Sequence, residues 1–127
     1  MALLESGENY LETILVLQKR NGSVRSIDIA TELDFSKPSV SRAMGILKKS
    51  GYIIMEPDGQ IVLTEAGLKE ASAVLDRHNT LTRFLAEKLH VDPEIAEKDA
   101  CRIEHIISPE TFAGIKKIVN ELDDIKN

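Results

Sequence analysis

Between residues 6 and 19 the apolar positions Tyr10, Leu11, Ile14, Leu15 and Leu17 recur at helical spacing, and Asn21-Gly22 ends the run as a turn. This predicts a first helix with one buried face. A shorter helix follows, with Ser26 as its N-cap, Asp28 in its first turn and Ile27, Ala30 and Leu33 facing inward, stopping near Asp34. Ser36 then caps a third helix that tolerates Pro38 in its first turn and buries Val40, Met44 and Leu47. Lys48, Lys49, Ser50 and Gly51 give it the basic last turn and trailing glycine that helix ends favour.

After Gly51 the period changes. Tyr52-Ile53-Ile54-Met55 and Ile61-Val62-Leu63 are β-prone runs bridged by Pro57-Asp58-Gly59, so a two-stranded hairpin is predicted. Three helices and a small hairpin make the winged helix-turn-helix plan. Thr64 can cap a long connecting helix to about Leu89, with Leu68, Ala71, Leu75, Leu81, Phe84 and Leu85 as its apolar positions. Asp92-Pro93-Glu94 and Ser108-Pro109-Glu110 repeat a helix-start signature, placing two further helices from about 93 and 109. The expected fold is mostly α: a winged helix-turn-helix over 1–63, then an all-helical unit over 64–127 that opens with the connecting helix, 64–89. No repeat, low-complexity tract or flexible linker separates the two, so they are expected to be tightly joined.

Composition changes this picture in two places. The 127 residues carry a net charge of -5, which looks wrong for a nucleic-acid binder until it is divided along the chain. Residues 18–50 hold seven basic and three acidic side chains, whereas 64–127 hold nine basic and thirteen acidic, so phosphates are expected to meet the first half. With no tryptophan, two tyrosines and three phenylalanines, a stacking platform for single strands is not expected. Met1-Ala2-Leu3-Leu4-Glu5 lacks a basic leader region, and no stretch approaches the roughly eighteen apolar residues of a membrane span. The single cysteine, Cys101, fits a reducing compartment, and a soluble cytoplasmic protein is expected.

A recognition helix needs small or polar side chains in its first turns, because that end enters the major groove while the other face packs on the core. Ser36, Lys37, Pro38, Ser39, Ser41 and Arg42 meet that need: arginine can read guanine, serines can bond bases or phosphates, and the proline edge can touch a thymine methyl. Arg25, Ser26, Lys48 and Lys49 are expected to add backbone contacts that position the protein. In isolation such a segment is equally well a solvated helix start; the flanking helix and hairpin favour DNA.

A second cluster lies in Asp99-Ala100-Cys101-Arg102-Ile103-Glu104-His105, where positions 101, 104 and 105 share one helix face. A thiolate, a carboxylate and an imidazole suit Fe(II), Co(II), Ni(II) or Zn(II), and not magnesium or calcium. Glu97 extends the stripe by one turn, Asn9 and Glu12 sit three apart on the first helix away from its apolar face, and His78 lies midway along the connector. Taken singly, each also fits a structural role: a lone cysteine is often a small buried hydrophobe, and a helix histidine is often merely hydrogen-bonded.

Four stretches together carry a family pattern: Asn9-Tyr10-Leu11-Glu12-Thr13-Ile14, Ser36-Lys37-Pro38-Ser39-Val40-Ser41, Arg77-His78, and Asp99 through Ser108 with its Cys-Arg-x-Glu-His run. Over nearly its whole length the chain resembles the diphtheria-toxin-repressor family of iron- and manganese-dependent regulators, in the short form without the SH3-like third domain. The resemblance implies a homodimeric repressor of metal-uptake genes, activated by Fe(II) or Mn(II), with Co(II), Ni(II) or Zn(II) able to substitute in vitro. It also makes the helical second unit a dimerisation and metal-binding domain. Cys101, Glu104 and His105 match positions of its main metal site, His78 matches a ligand used across the family, and Glu12 a carboxylate ligand of the manganese-responsive branch. Asn9 stands where the iron branch has methionine and the manganese branch aspartate, and Cys101 where the latter has glutamate. Glu97 and Thr82 replace a histidine and a glutamate of the iron branch's second site. The chain mixes the branches, so iron against manganese stays open.

The mechanism this implies is that metal ties Glu12, with Asn9 beside it, to the ligands of the second unit and fixes the angle at which two recognition helices meet a palindromic operator, about 34 Å apart. Dimer contacts are expected from Ile95, Ile103, Ile106, Phe112, Ile115, Ile118 and Val119, which exceed what a small core needs. The alternative is a metal-independent winged-helix regulator. A metallohydrolase would need a general base and a substrate pocket, and no such constellation stands out, so neither an enzyme nor a small-molecule substrate is expected.

Overall fold

The computed structural model describes residues 5–126; Met1–Leu4, on which the expectation about a leader rests, and Asn127 lie outside the described residues. The chain forms two compact units, Met1–Ala73 and Val74–Asn127.

In the first unit, helix α1 (Glu5–Asn21) buries Tyr10, Leu11, Ile14, Leu15 and Leu17, the face its periodicity predicts. Helix α2 (Ser26–Leu33) packs on α1 and on α3 (Lys37–Lys49), and α3 buries Val40, Met44 and Leu47 against them. Ser36 caps α3 by accepting the Ser39 N–H at 3.3 Å, with Pro38 in the first turn as predicted. Beyond α3, Gly51 adopts a left-handed φ of 86°, and the N–H groups of Gly51 and Tyr52 return to Lys48 O and Leu47 O at 3.1 and 3.0 Å. That double closure satisfies carbonyls a helix end leaves bare, and needs glycine at the turning point. Strands β1 (Ile53–Met55) and β2 (Ile61–Leu63) then pair antiparallel, Ile53 opposite Leu63, with Gly59 at φ 89° in the connecting turn. Ile61 N–H donates to Val24 O at 2.7 Å, which lays the loop before α2 along the hairpin. These elements are a winged helix-turn-helix.

The structure departs from the sequence pattern at Ser26, Ile27 and Leu68. The N-cap of α2 is Arg25, whose own N–H donates to the Asp28 carboxylate at 2.9 Å, and Ser26 is the first helical residue. Along this helix Ile29 and Ala30 are buried, and Ile27, expected to face inward, is exposed. Leu68, expected to be apolar and inward on the connector, is also exposed.

Helix α4 (Glu65–Arg83) is capped by Thr64, whose hydroxyl accepts the Gly67 N–H at 3.1 Å, and its later turns belong to the second unit. It runs on as a π-helical turn, Phe84–Lys88, before His90 breaks away with a φ of 58°, so the helix expected to reach Leu89 changes its winding at residue 84. Helices α5 (Pro93–Ile103) and α6 (Pro109–Lys126) start where their signatures predict and pack on that turn. Val74, Leu81, Ala96, Ala100 and Val119 form this unit's core. Two ion pairs fasten α6 to α4, Lys116 Nζ to Asp76 at 2.6 Å and Arg83 to Asp123 at 2.6 Å. Among the described residues no helix is long and apolar enough to cross a membrane.

Candidate metal centre and nucleic-acid face

Helix α5 stops at Ile103 because the chain must turn before Ser108-Pro109: a proline disfavours helix in the residue before it, and Pro109 opens α6 with Ser108 Oγ accepting the Thr111 N–H at 3.1 Å. Glu104 is therefore the last cap of α5, and His105 sits in the tight turn beyond, where Ile106 N–H reaches Ile103 O at 3.0 Å. Residues 101, 104 and 105 thus do not share one regular helix face. Glu104 turns inward with its side chain 0% exposed, His105 is 3% exposed, and Cys101 and Glu97 are exposed on α5.

What converges in the second unit is a carboxylate between two imidazoles. His78 Nδ1, from α4, lies 2.8 Å from Glu104 Oε2, and His105 Nε2 lies 3.3 Å from Oε1. The buried Oε1 accepts no hydrogen bond among the described residues. A fully buried carboxylate is costly without a compensating charge or donors for both oxygens. One carboxylate and two imidazole donors fit a borderline divalent cation well, and fit calcium or magnesium poorly.

The remaining candidate ligands lie on α1 of the first unit. Glu12 is buried, whereas Asn9 is half-buried and its main-chain oxygen accepts the Thr13 hydroxyl at 2.8 Å. One contact had no separate signal in the sequence: Arg77 Nε donates to the main-chain oxygen of Glu104 at 2.8 Å. The only pointer was its place beside His78.

The first unit presents the other face. Lys37, Pro38, Ser41 and Arg42 are exposed along the start of α3, Lys48 and Lys49 at its end. Ser36 and Ser39 are bonded to each other, Oγ to Oγ at 2.8 Å, and Arg42 Nη2 reaches Ser39 Oγ at 3.5 Å, so the two serines also brace the helix start. Ser26, Ile27, Lys37 and Ser41 line a cleft of about 300 Å³ between the starts of α2 and α3. Arg25, expected at a phosphate, contacts Asp58 of the hairpin turn through Nη2 at 3.2 Å. Arg20 is bonded through both terminal nitrogens to Glu32, which raises its pKa above the ordinary arginine value.

Comparison with known proteins matches both units. Residues 2–61 match the family described as iron dependent repressor, N-terminal DNA binding domain, and residues 64–124 match iron dependent repressor, metal binding and dimerisation domain. An uncharacterized HTH-type transcriptional regulator of Methanocaldococcus jannaschii is 34% identical over 121 residues, covering 94% of this chain and 97% of that one. The transcriptional regulator MntR of Escherichia coli O6:H1 is 38% identical over 109 residues, 86% of this chain and 70% of that one. The chain spans about half the length of the diphtheria toxin repressors it matches, 53% for that of Corynebacterium diphtheriae. Among solved structures, a manganese-dependent transcriptional repressor in complex with manganese superposes with a TM-score of 0.83 at 24% identity, over 90% of this chain and 52% of that one, a likeness of fold.

Proposed function

Because the chain belongs to the diphtheria-toxin-repressor family of iron-dependent repressors, we propose that it is a transcriptional repressor whose operator binding as a homodimer is switched on by Fe(II) or Mn(II). The observation that carries this reading is the buried carboxylate of Glu104 between His78 and His105. When bound, the ion would place positive charge beside the buried carboxylate of Glu104. His78, Glu104 and His105 would hold it, and Glu12 and Cys101 are proposed beside them on the strength of the family pattern. Asn9 and Glu97 are further candidates from the same pattern.

The chain's own residues divide the remaining work. The exposed start of α3 enters the major groove, with Pro38, Ser41 and Arg42 offered to base edges and Lys37, Lys48 and Lys49 to phosphates. Two such helices must stand about one turn of DNA apart, roughly 34 Å, so a dimer is needed to read a palindrome. Ile95 and Ile106, exposed on α5 and the turn after it, support a dimer face in the second unit; Val119, expected in that face, belongs to the unit's own core. Metal binding would restrict the geometries the dimer samples and favour the one that fits DNA.

The test is fluorescence anisotropy, anaerobic and at fixed salt, on a duplex selected from a random-sequence pool by the Mn(II)-loaded protein. Mn(II) or Fe(II) should tighten binding at least tenfold over chelator, about 1.4 kcal/mol of coupling, and His105→Ala should abolish the gain. Equal affinity with chelator and with either metal would make this a metal-independent winged-helix regulator.

A further inference from the structure

Arg77 and His78 are neighbours on α4, and both grip Glu104: Arg77 Nε donates to its main-chain oxygen at 2.8 Å, while His78 Nδ1 meets its carboxylate at 2.8 Å. We propose that Arg77 is a positioning residue of the metal centre, fixing the backbone from which Glu104 and His105 present their ligand atoms. This rests on the metal-centre reading above and goes beyond it by assigning a residue that binds no ion.

The last carbonyls of a helix have no partner within it and carry the negative end of its dipole, so a cation there is favourable. The carbonyl of Glu104 is one of these, and the residue's side chain is wholly buried, which leaves little access for water. It also lies in the same rigid peptide plane as the His105 N–H, so whatever orients that carbonyl orients the link between two proposed ligands. Helix bonding holds this plane weakly, since His105 N–H reaches Arg102 O only at 3.5 Å. A charged donor is stronger than a neutral one, and a guanidinium donates in a fixed plane where an ammonium does not. Arg77 therefore contributes direction as well as charge.

The experiment titrates the metal-free wild type, Arg77→Gln, Arg77→Lys and Glu104→Gln with Co(II) under anaerobic conditions, following the d–d absorbance, and records thermal melting of each metal-free protein. Arg77→Gln should weaken Co(II) binding about 10–100-fold, the range for residues that orient ligands, and change the d–d spectrum. Arg77→Lys should recover part of the affinity. Wild-type affinity and spectrum in Arg77→Gln would overturn the proposal and leave Arg77 a helix cap. Should Arg77→Gln fail to fold, Arg77→Lys decides alone: weaker binding with an altered spectrum supports the proposal, wild-type values overturn it. If Glu104→Gln binds Co(II) like the wild type, the metal-centre reading itself fails and this inference falls with it.

Discussion

The guanidinium of Arg25 clasps Asp58: Nη2 lies 3.2 Å from the carboxylate and Nε donates to the Asp58 main-chain oxygen at 3.3 Å. The cap of α2 is thereby tied to the tip of the hairpin, and the cation that the sequence offers to a phosphate has a carboxylate in its place. Both side chains are about half-exposed, and such pairs contribute on the order of 0–1 kcal/mol, little enough for a DNA phosphate to displace the carboxylate.

Two variants follow from that competition. Asp58→Asn keeps the acceptor that the Gln60 N–H uses at 3.1 Å while removing the charge, so it should tighten DNA binding at low salt. Arg25→Ala should weaken binding and make the slope of log affinity against log salt shallower by about 0.9, one phosphate fewer. Anisotropy over a salt series measures both, and an unaltered slope in Arg25→Ala would mean that this arginine serves the wing alone.

Glu104→Gln should separate stability from response. Its carboxylate has no exposure and sits between His78 and His105, so replacing it with a neutral amide relieves a desolvation cost in the metal-free protein. Metal-free melting is expected to stay level or rise. The wild type at a metal concentration 100 times its dissociation constant should gain about 2.7 kcal/mol, and the variant should lose most of that gain. Differential scanning fluorimetry with chelator and with Mn(II) reads both; a variant that melts lower without metal and still responds to it would contradict this account.

Much of this was legible in the chain because it depends on local chemistry. Ser36-Lys37-Pro38, Asp92-Pro93 and Ser108-Pro109 each state a helix start through a cap and a ring-locked φ, and each start lies where those residues place it. The positions that misled depend on rotation and on distant partners. On α2 the cap is Arg25 rather than Ser26, and Ile27, expected inward, is exposed while Ile29 is buried. At the metal centre, i, i+3 and i+4 spacing placed Cys101, Glu104 and His105 on one face, but α5 ends at Ile103 and the tight turn sets His105 instead. Arg77 reaches the Glu104 carbonyl across 27 positions of sequence, and no pattern along the chain announces such a contact.

Salt, rather than pH, should govern the bond between α4 and α6. Arg83 donates to both oxygens of Asp123, at 2.6 and 3.1 Å, and to Glu87 at 2.6 Å. The Asp123 hydrogen bonds, then that of Glu87, raise its pKa above the ordinary arginine value. A raised pKa gives stability that is present below the unfolded value and lost only as pH rises through the folded one, so the guanidinium keeps its charge throughout any neutral range. With 37% and 45% of the two side chains exposed, the Arg83–Asp123 pair is worth about 0.2–1 kcal/mol. A double-mutant cycle of Arg83→Gln and Asp123→Asn by urea unfolding should show that coupling in dilute buffer and its loss in 1 M salt, where the screening length is about 3 Å.

Two glycines in helices should respond to alanine with opposite signs. In a helix interior, glycine costs about 1 kcal/mol relative to alanine, so propensity alone predicts that both changes stabilise. At Gly114 on α6 a new Cβ would meet nothing within 4 Å, and Gly114→Ala should raise stability by up to about 1 kcal/mol. Gly67 is different: it is buried in the first turn of α4, and a Cβ there would overlap the main-chain carbonyl of Tyr52. That carbonyl cannot swing aside cheaply, because it accepts the Thr64 N–H at 3.0 Å at the junction where the hairpin gives way to the helix. Overpacking of this kind costs about 1–3 kcal/mol, which outweighs the propensity gain, so Gly67→Ala should destabilise the first unit. Urea midpoints of the two variants measured side by side decide it, and a rise in both would show that the junction yields where this account holds it rigid.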